Sequence, residues 1–552
     1  MQPLDVVPTL DAFLTSADAG EAPQVVSARR IGDLETPVSA FLKLTGTTPD
    51  ASPARQTAPN TFLLESVEGG AVRGRYSIIG LAPDRIWRAS GSTATLTHIE
   101  PQLPTPGEAT TSQTVEHVAP PQATLEGLRE LLAASRLVLP AGLPPMAAGV
   151  FGYLGYDTIR LVERLPTSNT DVLGLPDALF VRPTVMVIFD AVTDEIHLVA
   201  PLYGARGDVE AYEAGVRRLE QVAALLDAPL PAATAGAPAS AQVAATQTSS
   251  AQTSPLQTAL TPQPTISGIE PTSNTPRDDF LTMVARAKEY IAAGDIFQVV
   301  LSQRFSTPFT LPPIALYRAL RRTNPSPFLF FLNFGDHAIV GSSPEILVRV
   351  RNGEVTIRPI AGTRPRGATQ EADAANAADL LADEKELAEH LMLLDLGRND
   401  VGRVAEIGTV AITGSFFLEY YSHVMHIVSN VIGKLDAARH DVIDALMAGF
   451  PAGTVSGAPK IRAMEIIDEL ERDKRGPYAG CVGYFSADGE MDTCIVLRTA
   501  VVKDGVMHVQ AGAGVVADSI PENEQAECEN KAKALFAAAR EAVRFSRRGM
   551  NS

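Results

Sequence analysis

Two acidic segments of the chain carry carboxylates at a spacing that suits metal binding. In "DEKELAEHLMLLDLGRND", residues 383–400, Glu386 and Glu389 fall on one face of a predicted helix, because residues three apart are neighbours on a helix surface. Glu524 and Glu527 have the same spacing in a second predicted helix near the C-terminus. Magnesium ions prefer carboxylate oxygens supplemented by waters and a ligand oxygen. The pattern therefore indicates either a magnesium site where two acidic faces meet, or two ordinary solvated helix faces.

A second candidate site is the stretch "IRPIAGTRPRG", Ile357 to Gly367, which contains three arginines and two glycines. A strand-like run, "GEVTI", leads into it. Arginines beside the open backbone of Gly362 and Thr363 predict a site for a small anion, with guanidinium and backbone N–H groups as donors. Ala361 places a small apolar residue in the middle of that site.

His426 lies in "YYSHVMHIVSNVIG", a predicted strand in which it shares a face with Val424 and Val428. Histidine is the side chain best suited to proton transfer near neutral pH. On an apolar face it can equally be a hydrogen-bonded core residue. Its residue type alone leaves both interpretations open.

Two glycine-rich segments could approach a ligand closely. "FPAGTVSGAPKIRAMEII" predicts a loop leading into a helix, with Ser456 as the N-cap and Pro459 in the first turn. Free N–H groups at that helix start would suit an anion, although an ordinary capped helix is an equal alternative. "VQAGAGVVADS" places Gly512 and Gly514 after a strand, where the missing side chains expose the backbone. Neither segment matches a phosphate-loop or dinucleotide fingerprint.

The composition excludes several function classes. A chain of 552 residues with 45% hydrophobic residues is long enough for more than one domain. The formal net charge of −18 argues against a non-specific nucleic-acid binder, which needs a basic surface. The three cysteines form no CxxC pair, so neither a disulfide framework nor a zinc site is expected. With no signal peptide and no long uncharged apolar run, we expect a cytoplasmic protein.

The chain divides at one segment of unusual composition. From Ala228 to Pro276 it is rich in Ala, Pro, Thr, Ser and Gln and lacks aromatic residues, which predicts a disordered linker over residues 228–276. The linker separates an N-terminal region, residues 1–227, from a second region, residues 277–552. Strand-like runs such as "FLLESVEG" and "PTVMVIFD" precede it, and helices and strands mix after it. This order predicts an α+β fold with largely antiparallel sheet.

Nine spaced motifs, taken together, resemble the chorismate-binding enzymes and, among them, the anthranilate synthase component I group. The motifs are "GDIFQVVLSQRF", "GSSPEILVR", "RPIAGTRPRG", "DEKELAEHLMLLDLGRND", "VMHIVS", "FPAGTVSGAPK", "YAGCVGYFSADGEMDTCIVLRTA", "QAGAGVVADSIPENE" and "ECENKA". The resemblance covers about Asp278 to Phe545, and "LLESVEGG" and "GVFGYLGYD" extend it into the N-terminal half. It implies a large composite domain of two mainly antiparallel sheets packed between helices, with an interleaved N-terminal regulatory region.

The resemblance also implies individual roles. Glu345, in "SSPEI", matches a general acid that protonates the departing C4 hydroxyl of chorismate, which requires a raised carboxyl pKa. His426 matches a histidine needed for the later elimination of pyruvate. Glu389 and Glu527 match the ligands of a Mg²⁺ ion that clamps the ring carboxylate. The implied substrate-binding residues are Ala361, Gly362, Thr363, Gly512, Ala513 and Gly514, together with Tyr478 and Arg498 for the enolpyruvyl carboxylate.

Two positions separate the reactions of the family. Gln298 stands where isochorismate and salicylate synthases have a lysine that activates water, so its neutral amide implies ammonia as the nucleophile. Ala361 stands where many aminodeoxychorismate synthases carry an attacking lysine, so its methyl group implies direct addition of ammonia at C2. The implied products are anthranilate and pyruvate, the first committed step of tryptophan biosynthesis. An aminodeoxychorismate synthase, which makes the 4-amino product, is the alternative. The implied ammonia source is a separate glutamine amidotransferase subunit (component II), in a hetero-oligomer.

The resemblance finally implies feedback inhibition by tryptophan in a pocket remote from the chemistry. The matching residues are Leu64, Glu65, Ser66, Pro327, Phe328 and Leu329. The alternative is that "LLES" is simply a buried strand end. A non-catalytic regulator that binds tryptophan or chorismate is a further possibility, but the presence of Glu345, Glu389, His426 and Glu527 argues against it.

Overall fold

The computed structural model describes residues 4–18, 25–48, 58–68, 72–103, 117–118, 122–166, 169–204, 207–231, 270–421 and 424–549. Most of the predicted linker, residues 232–269, lies outside the described residues. The linker therefore stays a prediction, as does the division of the chain that depends on it.

The described residues form eleven α-helices. They are α1 (Leu10–Asp18), α2 (Pro37–Thr45), α3 (Thr124–Ala134), α4 (Val209–Asp227), α5 (Arg277–Ala293), α6 (Pro313–Thr323), α7 (Gln370–Ala382), α8 (Glu384–Gly402), α9 (Val442–Gly449), α10 (Lys460–Leu470) and α11 (Pro521–Gly549). The end of α5 follows from Gly294, whose left-handed φ of 83° is accessible to glycine at little cost. The start of α8 is capped by Asp383, whose carboxylate accepts the backbone N–H groups of Lys385 and Glu386.

The strands in the same parts of the chain number twenty-four. They are β1 (Val6–Val7), β2 (Val25–Ile31), β3 (Thr61–Glu68), β4 (Val72–Ser90), β5 (Thr93–His98), β6 (His117–Val118), β7 (Gln122–Ala123), β8 (Gly149–Leu154), β9 (Ala178–Asp190), β10 (Glu195–Pro201), β11 (Thr272–Ser273), β12 (Gln298–Pro308), β13 (Phe328–Asn333), β14 (His337–Ser343), β15 (Ile346–Arg351), β16 (Glu354–Ile357), β17 (Ile360–Pro365), β18 (Ala411–Tyr420), β19 (Val424–Lys434), β20 (Gly457–Ala458), β21 (Cys481–Ser486), β22 (Met491–Ile495), β23 (Thr499–Lys503) and β24 (Val506–Val515).

The sheet forks at β9, and all pairings between the named strands are antiparallel. One side of β9 pairs along its length with β4. On its other side, the C-terminal half pairs with β10 and the N-terminal half with β8. One branch runs from β4 through β3, β13, β14, β23 and β24 to β12. The other runs from β8 through β21, β22, β15 and β16 to β19. The two expected sheets are thus joined, because β9 is long enough to belong to both.

The two halves of the sequence share this framework. Strands β3 and β8 from the N-terminal region pair with β13 and β21 from the second region. An aromatic pair crosses the same boundary: the ring of Phe151, which stacks on Phe62 at 4.6 Å within the N-terminal region, lies 5.5 Å from that of Tyr484. The α+β antiparallel fold predicted from the sequence, with an interleaved N-terminal region, is confirmed.

One local prediction is wrong. Ser456 does not cap a helix, because α10 begins three residues later than a Ser456 cap would require, with Pro459 at the cap position and no capping side chain. The Ser456 hydroxyl instead donates to the Ala452 carbonyl oxygen at 2.8 Å. Within the described residues, no helix combines the length and apolar character needed to span a membrane.

The far ends of both branches, β12 with β24 and β17 with β19, carry two of the candidate catalytic residues, Gln298 and His426. Helix α8 packs on β17 and β19, and α11 packs on β24. These two helices carry the acidic faces identified in the sequence.

Candidate active site

Glu345 is a buried carboxylic acid in the turn between β14 and β15, with 6% of its surface exposed. The Thr454 hydroxyl lies 3.2 Å from each of its carboxyl oxygens. Burial raises the pKa of Glu345 from 4.5 to about 8, and the hydrogen bonds from Thr454 and the Ile360 backbone oppose this only in part. The group therefore carries its proton at neutral pH and can act as an acid.

His426 is held as a neutral imidazole on β19. Its Nδ1 atom lies 2.9 Å from the Gly362 carbonyl oxygen and 3.1 Å from the Thr363 hydroxyl. Because a carbonyl oxygen can only accept, Nδ1 carries the proton and Nε2 keeps a lone pair. Burial lowers the pKa of His426 below its ordinary 6.5, and the positive charge of Arg498 lowers it further, although the Gly362 carbonyl opposes this. The imidazole can therefore accept a proton at Nε2.

A bulge in β17 points the backbone at that histidine. The pairing with β19 shifts register between Ala361 and Thr363, and Gly362 has a φ of 70°. A Cβ atom at Gly362 would lie 3.1–3.2 Å from side-chain atoms of Leu380, Glu386 and Ile427. Glycine therefore permits both the left-handed backbone and the close packing that bring its carbonyl to His426. Ala361 is buried beside the bulge, 8% exposed.

The arginines of "IRPIAGTRPRG" are engaged within the protein, so the prediction that they bind an anion is wrong. The pairs are Arg358 with Glu419, Arg364 with Asp379 (2.6 Å) and Asp383 (2.7 Å), and Arg366 with Asp373 (2.7 Å). Each guanidinium is matched by carboxylates from α7, its flanking turn or β18. These ion pairs hold the loop against α7 and β18.

Arg498 is a half-buried cation near His426. It lies between β22 and β23, partly buried, with a φ of 47°. In the part of the chain that the structure describes, no carboxylate lies within ion-pair distance of its guanidinium. Burial lowers its pKa, the nearby Tyr421 partly opposes this, and Arg498 in turn acts on His426. A desolvated guanidinium without an internal partner is suited to a carboxylate of a ligand.

Gln298 on β12 and Glu389 on α8 are joined by a hydrogen bond. The Gln298 amide nitrogen donates to Glu389 Oε1 at 2.9 Å, and Gln298 is only 3% exposed. Since a carboxylate accepts and does not donate, this bond fixes which end of the amide faces Glu389. The other end, Oε1 of Gln298, is buried and has no hydrogen-bond partner among the described residues. Gly514 lies beside the amide nitrogen of Gln298, because a Cβ at Gly514 would come within 2.7 Å of that atom.

Helix α11, which carries Glu527 and Lys531, packs on strand β24, which carries Gly512 and Gly514. Lys531 Nζ lies 2.7 Å from Glu527 Oε1 and donates to the Gly512 carbonyl oxygen at 2.9 Å. A Cβ on Gly512 would lie 2.8 Å from the hydroxyl of Tyr478, so that hydroxyl reaches the bare backbone. Ala513, between the two glycines, is fully buried.

The acidic faces of α8 and α11 supply donors suited to a hard divalent cation. Burial raises the pKa of Glu386, and the charge of Glu389 raises it further. Burial likewise raises the pKa of Glu524, with Glu527 adding to the effect. Within the described ranges, no three or more acidic, histidine or cysteine side chains form a complete metal cage. Magnesium is often held by one or two carboxylates with waters and substrate oxygens, and Glu389 and Glu527 remain the predicted ligands of such an ion.

The six residues of the predicted tryptophan pocket come together elsewhere. Strand β3 pairs with β13, placing Glu65 opposite Leu329 and Ser66 opposite Phe328, with Leu64 and Pro327 adjoining. Glu65 is 6% exposed and accepts hydrogen bonds from Tyr317 at 2.6 Å and Arg321 at 2.5 Å. Among the described residues, no hydrogen bond or ion pair directly joins this cluster to Glu345 or His426. Its ligand remains a prediction.

Several residues of the site were not selected from the sequence. Thr454, in the glycine-rich loop, bonds Glu345 across 109 positions of sequence. Tyr421 lies edge-on to His426, with ring centroids 5.4 Å apart, and donates to Glu419 at 2.9 Å. Lys531 lies on α11 one turn after Glu527 and donates to the Gly512 carbonyl oxygen. No local pattern predicts the contacts of Thr454 with Glu345 or of Lys531 with the Gly512 carbonyl, because each depends on how separate segments pack.

The sequence profile described as "chorismate binding enzyme" matches residues 85–537 of this chain. The chain is 52% identical to anthranilate synthase component 1 of Cereibacter sphaeroides over 548 residues, covering 98% of this chain and 99% of that protein. It is 46% identical to anthranilate synthase component 1 of Thermus thermophilus, covering 92% and 96% of the two chains.

Solved structures give the same result for the fold. Anthranilate synthase component I from Streptococcus pneumoniae aligns with a TM-score of 0.66 at 37% identity, covering 84% of this chain and 92% of that one. The isochorismate synthase MenF from Escherichia coli has a TM-score of 0.63 at 17% identity, covering 96% and 99%, which shows a common fold alone. With the profile match over residues 85–537 and 52% identity to a component 1 protein over 98% of its own length, the chain belongs to the chorismate-binding enzymes, in the anthranilate synthase component I family.

Proposed function

We propose that this protein converts chorismate and ammonia into anthranilate and pyruvate, and that Glu345 and His426 divide the proton transfers between them. The observation that carries this proposal is the pair itself. Glu345 is a buried acid that holds its proton to about pH 8, and His426 is a neutral imidazole with Nε2 free. One group can give a proton while the other takes one at the same pH.

In the first step, ammonia forms a bond to C2 of the ring, and the bond from C4 to its hydroxyl breaks. The two ring double bonds shift toward C4 as this bond breaks, and Glu345 donates its proton to the hydroxyl, so water leaves. The proton that the new ammonium nitrogen loses goes to the Glu345 carboxylate or to solvent, which balances the step. In the second step, His426 takes the proton from C2 through Nε2, the electrons form the C2–C3 double bond that completes the aromatic ring, and the bond from C3 to the enolpyruvyl oxygen breaks. The released enolpyruvate takes up a proton at its methylene carbon and becomes pyruvate. The hydrogen bond from Nδ1 to Gly362 stabilises the imidazolium that forms.

Substrate binding would use the groups that the fold leaves without partners. Arg498 and the Tyr478 hydroxyl would hold the enolpyruvyl carboxylate, and the backbone of Gly362, Thr363 and the segment from Gly512 to Gly514 would line the ring. Glu389 and Glu527 would hold Mg²⁺, which supplies the positive charge that an anionic ring carboxylate needs beside two glutamates. The expected product class follows from Ala361, because its methyl group offers no nucleophile for covalent attack on the ring.

Gln298 would receive the nucleophile. Its amide cannot remove a proton from water, but its unpartnered Oε1 can accept an N–H of ammonia. Ammonia would come from a glutamine amidotransferase subunit, component II, bound to this chain in the cytoplasm. The names of the similar component 1 proteins support a partner of this kind.

The test uses the purified chain with chorismate, Mg²⁺ and ammonium at alkaline pH, with products separated by chromatography and anthranilate followed by fluorescence. Anthranilate with equimolar pyruvate is the expected result. Formation of 4-amino-4-deoxychorismate would overturn the roles assigned to Gln298 and Ala361. Absence of turnover with component II and glutamine also supplied would overturn the enzymatic proposal.

We also propose that tryptophan inhibits the enzyme by binding between β3 and β13. The support is that the two segments expected to form the pocket are paired neighbours, although they are 263 positions apart from Ser66 to Leu329. Phe328 is partly exposed there and can contact an indole ring. Saturating tryptophan should abolish activity in the parent and act weakly on Phe328→Ala. Undiminished activity of the parent in saturating tryptophan would refute this proposal.

A further inference from the structure

Arg475 is a buried cation at which several segments of the site converge. Its side chain is 1% exposed, and it forms a bidentate ion pair with Glu471 at 2.6 and 2.9 Å. It also donates to the carbonyl oxygens of Val455 at 2.8 Å and Val300 at 2.7 Å. The guanidinium is therefore almost completely buried and makes four hydrogen bonds within the protein.

Each of these contacts leads to a different part of the site. Val455 follows Thr454, which bonds Glu345. Val300 lies two residues after Gln298 on β12. The guanidinium also lies over the ring of Tyr478, with its central carbon 5.6 Å from the ring centroid. One rigid planar group thus touches the segments for the acid, the nucleophile and the substrate carboxylate.

The partner of Arg475 extends this network. Glu471 accepts the backbone N–H of Ser302 at 2.8 Å and its hydroxyl at 2.9 Å. Ser302 pairs with Gly512 across β12 and β24, and its hydroxyl also accepts from the Gln510 amide at 2.8 Å. The ion pair therefore also sets the position of the backbone that faces the substrate.

Stability alone does not account for a charge at this place. Buried ion pairs contribute little net stability, because the cost of removing both charges from water offsets their attraction, and well-packed neutral replacements are often as stable. Arginine differs from such replacements in offering several donors in one fixed plane. On the basis of the proposed function, we infer that Arg475 is a positioning residue, which fixes the distances between the acid, the ammonia site and the enolpyruvyl carboxylate site.

The test is a pair of neutralising double variants. Arg475→Met with Glu471→Gln removes both charges, while the glutamine still accepts from Ser302. The control is Arg182→Met with Asp84→Asn, because Arg182 is similarly buried, forms a bidentate pair with Asp84 at 2.5 and 2.8 Å, and lies over an aromatic ring at 4.3 Å.

The expected result is that both double variants keep the parental thermal midpoint, but only the first loses activity. Since misplacement of reacting groups by 1 Å can cost about 100-fold, kcat should fall by about that factor, with a smaller rise in KM for chorismate. Parental kcat in the folded Arg475 and Glu471 variant would overturn the inference. An equal loss of kcat in the control would also overturn it, by showing a general effect of neutralising buried pairs.

A second measurement separates this inference from the proposed reaction. Chorismate affinity in the presence of Mg²⁺, measured by calorimetry, does not depend on which product forms. If the parent made a different product, the proposed function would fail, and a binding loss confined to the first double variant would still support Arg475. If both double variants bound chorismate like the parent and turned it over equally fast, the inference would fail whatever the product.

Discussion

Replacing Glu345 by glutamine should abolish activity while making the protein more stable at alkaline pH. Glutamine has nearly the shape of a protonated glutamic acid and can keep a hydrogen bond with Thr454. It cannot supply a proton, so anthranilate formation should fall by about 10²–10⁴-fold, the usual contribution of a general acid. The opposite effects on stability and activity follow from the burial of the same carboxyl group.

The magnitude comes from the pKa of Glu345, which is 4.5 for an ordinary glutamate and about 8 in the folded protein. One pKa unit corresponds to about 1.4 kcal/mol, so ionisation of Glu345 costs the folded state about 5 kcal/mol relative to the unfolded state. Below pH 4.5 both states are protonated and the cost is absent. Between the two values the unfolded state binds fewer protons than the folded one, so stability falls as pH rises, and the full cost applies above pH 8.

The assay is denaturant unfolding of the parent and Glu345→Gln at pH 5.5, 7 and 9, with Glu354→Gln as the control. Glu354 lies exposed on β16, so this control removes the same charge without relieving burial. The midpoint of Glu345→Gln should rise relative to the parent as pH increases, whereas that of the control should not. With free ammonia held constant, parental kcat/KM should fall above about pH 8. A stability difference between parent and Glu345→Gln that stays constant from pH 5.5 to 9 would show that Glu345 is ionised throughout, and would refute its role as the acid.

Three further outcomes follow from single contacts. His426→Gln should slow anthranilate formation by about 10²–10⁴-fold. An amino-cyclohexadiene intermediate that retains the enolpyruvyl group should then accumulate and be detected by mass spectrometry. Loss of chorismate consumption with no intermediate would contradict the role assigned to His426. Arg498→Gln should raise KM for chorismate by about 10-fold or more, since a charged hydrogen bond is worth about 1.5–3 kcal/mol, and an unchanged KM would place the substrate carboxylate elsewhere. Lys460→Met should lower the free energy of unfolding in urea by about 3–5 kcal/mol, because Asp400 stays buried without the partner that lies 2.8 Å away. The double variant with Asp400→Asn should recover most of that loss. Failure to recover it would contradict the electrostatic cause.

The arginines near the bulge show where reading a sequence by residue type fails. Their number predicted an anion site, but Arg358, Arg364 and Arg366 are matched by carboxylates. Arg498, which stands alone in "IVLRTA", has no carboxylate within ion-pair distance among the described residues. Whether a charge is free depends on which oppositely charged side chain folding brings beside it, and that is a tertiary property.

The sequence by itself determined the elements of this protein and their chemistry. Residue patterns placed α8, α11 and the strand that carries His426, because these preferences depend on neighbouring residues alone. The family could be recognised from the sequence, since the nine spaced motifs can be identified without any knowledge of contacts. The identity of the candidate acid, Glu345, was available in the same way.

Only the tertiary structure decided how those groups behave. The raised pKa of Glu345, the single tautomer of His426 and the unpartnered Oε1 of Gln298 arise from burial and from partners brought in from distant segments. The Arg475 network joins three such segments and leaves no trace in local spacing. The physical reason is that desolvation and hydrogen-bond pairing act through space, over a few ångströms, irrespective of separation along the chain.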